Sequence, residues 1–122
     1  MKTILISLLL VAAAVAGAAD KAALAGKWQI HINIADHESD QSCTFVQNGN
    51  DLSGTCASTG GTSALTGKVD DKKITWTYKV NGSSGPVTLN YRGALNSATN
   101  MTGSVNVEEY GVEGEFTATQ SN

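Results

Sequence analysis

The sequence contains few of the residue types on which metal sites and nucleic-acid surfaces depend. Its 122 residues include only two cysteines and two histidines, at spacings that match no zinc-finger pattern. The 8 basic residues are outnumbered by 11 acidic residues and form no basic stripe along the chain. We therefore expect no metal, no cofactor, no nucleic-acid partner and no anionic membrane surface as a partner.

The first 19 residues have the features of a secretory signal peptide. A short basic start is followed by an apolar run of about eleven residues at 4–14 and by a small-residue cleavage site, Ala16-Gly17-Ala18. The run is shorter than the ~20 residues that span a bilayer, so we expect no membrane insertion after cleavage. The mature chain keeps 7 basic and 11 acidic residues, a net charge of about −4. We predict a secreted or periplasmic protein with an N-terminal leader at 20–26 and one domain at 27–122.

Alternation of apolar and polar residues with a period of two runs through the domain, and no stretch after residue 26 has helical periodicity. It predicts eight strands, at about 27–35, 41–48, 51–58, 62–70, 72–80, 86–95, 101–108 and 112–119. One face of each strand is apolar, as in antiparallel sheets with one dry side. The predicted inward residues are Trp28, Ile30, Ile32, Ile34, Cys43, Phe45, Leu52, Cys56, Leu65, Val69, Ile74, Trp76, Tyr78, Val80, Val87, Leu89, Tyr91, Leu95, Met101, Val105, Val107, Val112 and Phe116.

The two cysteines flank a two-residue hairpin turn, Gly49-Asn50, of the type that begins with glycine. This turn pairs positions whose numbers sum to 99, so Cys43 lies directly opposite Cys56 at a non-hydrogen-bonded pair, where the Cα atoms are closest. In an exported protein we expect a structural disulfide there, with a redox-labile bridge or free thiols as the alternatives.

Glycines on the inward faces distinguish a barrel from a sandwich. The hairpin registers place an aromatic residue opposite a glycine three times: Phe45 and Gly54, Trp76 and Gly67, and Phe116 and Gly103. Aromatic residues cover cross-strand glycines in strongly coiled sheets that close on themselves. We therefore predict an all-β fold, an eight-stranded antiparallel up-and-down β-barrel with one disulfide.

The start of the domain resembles two families. Gly26-Lys27-Trp28 before a meander of eight strands resembles the calycin group of lipocalins and avidins, which implies a barrel that holds a small ligand at its open end. Of the polar residues that an avidin turns toward its ligand, the sequence offers Tyr78, Tyr91 and Ser63. The segment 24–28 is also similar to the start of the barrel in small secreted bacterial metalloprotease inhibitors. That similarity implies an extracellular protein target, reached through residues 20–26 or through loop tips.

Five inward aromatic residues are the candidate ligand-binding set: Trp28, Trp76, Tyr78, Tyr91 and Phe116. Aromatic walls with a few hydroxyls are the usual composition of a small-molecule site. The alternative is a filled core, because the side chains of an eight-stranded barrel can just fill its interior. We expect a non-enzymatic binding protein for a small apolar or aromatic ligand, and the protein-binding inhibitor is the alternative.

Catalytic residues are not apparent. No Gly-x-Ser-x-Gly motif occurs and no carboxylate falls on a predicted inward face, so an enzyme of the barrel-cyclase type would lack its acid or base. The most polar cluster is His31 with residues 36–40. We interpret 36–40 as a solvated acidic loop, with a weak metal or partner contact as the alternative.

Overall fold

A computed structural model of the protein describes residues 23–58, 61–82 and 85–121. The predicted signal peptide at 1–19 and the start of the leader lie outside these residues. The described chain forms eight strands: β1 (Gly26–Ile34), β2 (His37–Asn48), β3 (Asp51–Ser58), β4 (Gly61–Asp70), β5 (Lys73–Gly82), β6 (Gly85–Leu95), β7 (Asn100–Val107) and β8 (Val112–Ser121). This part of the chain contains no helix long and apolar enough to cross a membrane.

Each strand pairs antiparallel with the next, and β8 pairs with β1, so the sheet closes into an up-and-down barrel. The predicted fold class is confirmed. Closure leaves no strand edge on which another chain could pair. We call the end where β1 begins the lower end; the connections after β2, β4 and β6 lie there. Strands β1, β3, β5 and β7 end at the upper end.

The predicted cross-strand pairs are confirmed. Phe45 lies opposite Gly54, and Cys43 opposite Cys56, across the Gly49-Asn50 turn. The two cysteines form a disulfide with a Cα–Cα distance of 4.0 Å, the close approach of a non-hydrogen-bonded pair. The other two predicted pairs, Trp76 with Gly67 and Phe116 with Gly103, have the same register as expected.

The first hairpin differs from the prediction, because β2 begins at His37 and not at residue 41. The acidic loop predicted at 36–40 is therefore wrong. Ala35 and Asp36 alone form the turn, with φ angles of 51° and 67°, the left-handed values of a type I′ hairpin. Residues 37–40 are polar on both faces, so no alternation marks them as a strand.

The core is a continuous apolar cluster inside the barrel, and it differs from the predicted inward set at a few positions. Val112 lies on the inward face as predicted, opposite buried Val107, but it is 38% exposed because it begins β8 at the upper rim. Two buried apolar residues were not predicted, Leu24 and Ala118. Leu24 precedes β1 and therefore lies outside any strand alternation.

Leu24 closes the lower end of the barrel. Its side chain is fully buried, its backbone N–H donates to Gln47 Oε1 at 2.8 Å, and its carbonyl accepts a hydrogen bond from Trp28 Nε1 at 2.9 Å. The end of the predicted leader is thus a packed part of the barrel. Leu24 itself is therefore not accessible to a protein target.

Candidate functional site

The barrel interior holds a column of stacked aromatic rings. The Trp76 and Tyr91 rings are nearly parallel, with centroids 4.7 Å apart, and the Tyr78 ring stacks on the other side of Tyr91 at 5.6 Å. Phe116 packs edge-on against Trp76 and Tyr91, at 5.3 Å from each ring. Four of the five predicted site residues therefore form one cluster on β5, β6 and β8, and their rings fill the middle of the barrel.

Trp28, the fifth predicted residue, lies apart at the lower end. Its ring reaches the others only through Phe45, with centroid distances of 6.3 Å to Phe45 and then 5.1 Å from Phe45 to Trp76. Its indole N–H is already bonded to the Leu24 carbonyl. Trp28 therefore acts as part of the closed end, and a ligand held by the other four residues would not reach it.

A cluster of three polar groups lies above the aromatic column, toward the upper end. The hydroxyl oxygens of Tyr78 and Tyr91 are 2.9 Å apart, and both are within hydrogen-bond distance of Gln41 Oε1, Tyr91 at 3.1 Å. Three contacts share only two hydroxyl hydrogens, so at most two of them are hydrogen bonds at any moment. The cluster thus keeps an acceptor lone pair for another donor.

Gln41 is the member of this cluster that the sequence analysis missed. It is half-buried, and the part of the chain that the structure describes provides no partner for its side-chain N–H₂ group. A signal for it existed, since Gln41 stands two positions before inward Cys43 and therefore faces the interior. Ser63, the third residue of the avidin-like comparison, is also half-buried, opposite Cys56 on β4.

Burial sets the protonation state of the two phenols. Desolvation raises the pKa of Tyr78, and the hydrogen bonds with Tyr91 and Gln41 lower it only in part. Desolvation likewise raises the pKa of Tyr91 far above its ordinary value, and the neighbouring Tyr78 hydroxyl adds to the increase. Both side chains remain neutral at physiological pH, so each keeps a hydroxyl proton to donate.

Trp76 carries a buried donor that has no acceptor. Its side chain is 2% exposed, and no atom of the described residues accepts a hydrogen bond from Nε1. An unsatisfied buried donor costs about 1–3 kcal/mol relative to a bonded one. The interior therefore contains an unbonded indole N–H group in addition to the two tyrosine hydroxyls, whereas a core formed only for packing could be wholly apolar.

The upper end of the barrel is lined by aliphatic side chains that remain partly exposed. Ile34, Val80 and Val87 pack against the core without being fully covered, and Val112 is open to solvent. These residues end β1 and β5 and begin β6 and β8. They form an apolar rim above the polar cluster.

The interior offers no acid or base and the surface no metal site among the described residues. Among these residues no Asp, Glu or His side chain is buried, and no group of three His, Cys, Asp or Glu side chains is arranged to hold a metal ion. The polar cluster predicted around His31 lies on the outer face of β1 and β2, and its acidic residues belong to a strand and not to a loop. His31 Nδ1 lies 2.7 Å from Asp40 Oδ1, and its Nε2 lies 2.7 Å from Glu38 Oε1. The hydrogen bonds that the ring N–H groups of His31 donate to the Asp40 and Glu38 carboxylates raise the pKa of His31.

Comparisons with known proteins show the architecture. No family model matches the chain, and no curated protein matches it. The chain is similar to two solved redesigned β-barrels. One, b11L5F_LGL, has a TM-score of 0.63 and 14% identity over 81% of this chain and 92% of its own. The other, mFAP1, was solved bound to DFHBI and has a TM-score of 0.61 and 15% identity over 80% of this chain and 94% of its own. Membership of the calycin group stays a prediction.

Proposed function

We propose that the protein is a non-enzymatic binding protein that holds a small, largely apolar molecule at the upper end of the barrel. The observation that carries the proposal is the cluster of Gln41, Tyr78 and Tyr91 beneath an aliphatic rim. Small-molecule sites combine apolar walls with a few convergent polar groups, and this cluster supplies both a donor amide and phenol oxygens that can accept.

The packing of the rings limits where the molecule sits. Because Trp76, Tyr91 and Tyr78 stack in contact with one another, the middle of the barrel has no room for a ligand. The ligand would lie above Tyr78, with its apolar part against Ile34 and Val80 and a polar group on the cluster.

A protein of the same architecture supports the proposal. The redesigned barrel mFAP1 was solved bound to DFHBI, and this chain shares its fold over most of both lengths. At 15% identity the likeness concerns the fold alone. It supports the general point that a small barrel of this architecture can hold a small molecule.

Binding of N-phenyl-1-naphthylamine tests the proposal. This neutral fluorescent probe carries one N–H group on an apolar aromatic frame. We expect Tyr78→Phe and Gln41→Ala each to weaken its binding about fivefold, the effect of one lost neutral hydrogen bond. Tyr110→Phe and Gln29→Ala are matched controls, because Tyr110 is 58% exposed and Gln29 bonds Ser42 on the outer face. Both controls should bind as the wild type does.

Native mass spectrometry of the protein purified from its own host provides a second measurement. We expect a mass above that of the mature chain, which returns to the chain mass on denaturation. A mass equal to the chain alone, together with no saturable binding of the probe, would contradict the proposal. Equal losses of affinity in the target and control variants would contradict the placement of the site.

We also propose that the protein is exported to the periplasm or the medium. The support is the sequence of residues 1–19 and a disulfide, which persists in oxidising compartments. Amino-terminal sequencing of the protein from its host should give a chain that begins at Ala19 or Asp20. A cytoplasmic chain that retains Met1 would contradict export.

A further inference from the structure

The outer surface of the barrel separates charge in a way that the linear sequence does not show. Five of the 8 basic residues are exposed on β4, β5, β6 and the turn after β4: Lys68, Lys72, Lys73, Lys79 and Arg92. Asp51, Asp70 and Asp71 lie among them, which leaves a local excess of two positive charges. Five other acidic residues lie on the opposite side, on β8, β2 and the turn between β1 and β2: Asp36, Glu38, Asp40, Glu113 and Glu115. Strand pairing thus creates a locally basic surface on an acidic protein.

The centre of this surface is a groove that crosses three strands. Lys68, Thr75 and Arg92 are direct cross-strand neighbours on β4, β5 and β6. With neighbouring strands about 4.8 Å apart, Lys68 and Arg92 are separated by roughly 10 Å at their Cα atoms. Two adjoining depressions of about 460 Å³ each share these three residues. We call this feature the basic groove.

The basic groove contains donors that the protein itself does not use. Within the described residues Arg92 makes no ion pair, and both positions opposite it are neutral, Thr75 and Ser104. Lys68 pairs with Asp51 at 2.5 Å, but both side chains are more than two-thirds exposed, and pairs of this kind are weak and exchange readily. The two cations can therefore approach one anionic group from both sides.

Hydroxyl and amide groups surround the two cations. The hydroxyls of Thr66 and Thr75 have no hydrogen-bond partner in the part of the chain that the structure describes, while Asn90 donates to Glu108. The aromatic residues beneath the groove, Trp76 and Tyr91, turn their rings into the barrel and are each 2% exposed. The surface is thus cationic and rich in hydroxyls, with no ring on which a base could stack.

We propose that the basic groove binds an acidic polysaccharide. A carboxylate or sulfate group would lie between Lys68 and Arg92, and sugar hydroxyls would bond Thr66 and Thr75. The lack of an exposed aromatic ring disfavours single-stranded nucleic acid, and the lack of a large exposed apolar side chain in the groove disfavours insertion into a membrane. This site is separate from the upper end of the barrel.

Isothermal titration at low and at physiological salt tests the proposal with two probes, heparin for sulfate groups and polygalacturonate for carboxylate groups. We expect Arg92→Gln to weaken binding of the preferred polymer about tenfold, the effect of one lost charge-assisted hydrogen bond. Thr75→Val should weaken it by a smaller factor with no change in charge. Lys27→Gln is the matched control, because Lys27 is exposed on β1, outside the groove, and the charge change is the same.

Several results would overturn the proposal. An equal loss of affinity in Lys27→Gln would mean diffuse attraction to net charge and no built site. Tighter binding to duplex DNA or to phosphatidylglycerol vesicles would assign the surface to another partner. Self-association in sedimentation at low salt that Arg92→Gln abolishes would assign it to the acidic side of a second copy. Binding of N-phenyl-1-naphthylamine should be unchanged in Arg92→Gln, so the two proposals fail independently.

Discussion

Three alanine substitutions test why glycine is required where strands approach closely. They separate the strain of a positive φ from the overlap of a Cβ with the neighbouring strand. Gly54 has a φ of 130°, and a Cβ there would overlap the Thr44 carbonyl oxygen and lie 3.3 Å from the Phe45 Cα. Gly61 has almost the same φ, 127°, but a Cβ there would meet nothing within 4 Å. Gly67 has an ordinary φ, but its Cβ would overlap the Thr75 carbonyl and lie 2.8 Å from the Trp76 Cβ.

The expected losses of stability follow from these geometries. Gly61→Ala introduces backbone strain alone and should cost about 1–3 kcal/mol. Gly67→Ala introduces overpacking alone and should also cost about 1–3 kcal/mol. Gly54→Ala introduces both, so we expect about 2–6 kcal/mol, a large part of the 5–15 kcal/mol that is typical for a domain. Gly54→Ala should therefore be less stable than either Gly61→Ala or Gly67→Ala.

Urea unfolding followed by far-ultraviolet circular dichroism measures these differences, and an unchanged slope would show that the comparison is valid. If Gly54→Ala is no less stable than Gly61→Ala, the cross-strand contact contributes nothing. The reasoning that Gly54 is required by the close approach of the backbone at Thr44 and Phe45 would then be refuted, and with it our reason for expecting a closed barrel from this pattern.

Three further predictions concern the closed end, the disulfide and the surface. Leu24→Ala should cost about 2–5 kcal/mol in the same urea assay, because Leu24 is fully buried at the lower end. Reduction of the bridge between Cys43 and Cys56, 13 positions apart, should cost about 3 kcal/mol through loop entropy, seen as a lower urea midpoint with reductant. His31 should titrate above its ordinary pKa of 6.5 in proton NMR, and Asp40→Asn should lower that pKa. Its ion pairs then stabilise the fold below pH 6.5, and this contribution is lost as the pH rises through the raised pKa.

Most of the fold could be predicted because the signals are local. A period of two identifies a strand with one dry face, and a two-residue turn fixes the register of the hairpin around it. The Gly49-Asn50 turn alone therefore placed Cys43 opposite Cys56 and Phe45 opposite Gly54. The closure of β8 on β1 was inferred from the glycines and not from any local signal.

The features that escaped prediction are those in which local signals are weak or distant residues meet. Ala35 and Asp36 both have a positive φ in the first turn, although neither is glycine. The sequence therefore lacks the glycine from which such a turn is usually predicted. The first four residues of β2, from His37 to Asp40, are exposed and polar on both faces. They therefore show no alternation of apolar and polar residues from which a strand could be predicted. The basic groove joins Lys68 to Arg92 across 24 positions of sequence, and only strand pairing brings them together.

The two ends of the barrel differ in how the chain covers them, and this difference is our reason for placing the proposed site at the upper end. The lower end is closed: Leu24, Trp28 and Met101 are all fully buried, and the chain itself occupies the opening. A molecule could enter there only if the chain before β1 unpacked, at the cost of a buried leucine and two hydrogen bonds. At the upper end Gln41, the first residue of the predicted second strand, lies two positions before buried Cys43 and below a rim of half-buried aliphatic residues. Polar groups and partly exposed apolar side chains therefore coincide at the upper end, and this coincidence favours that end for the proposed ligand.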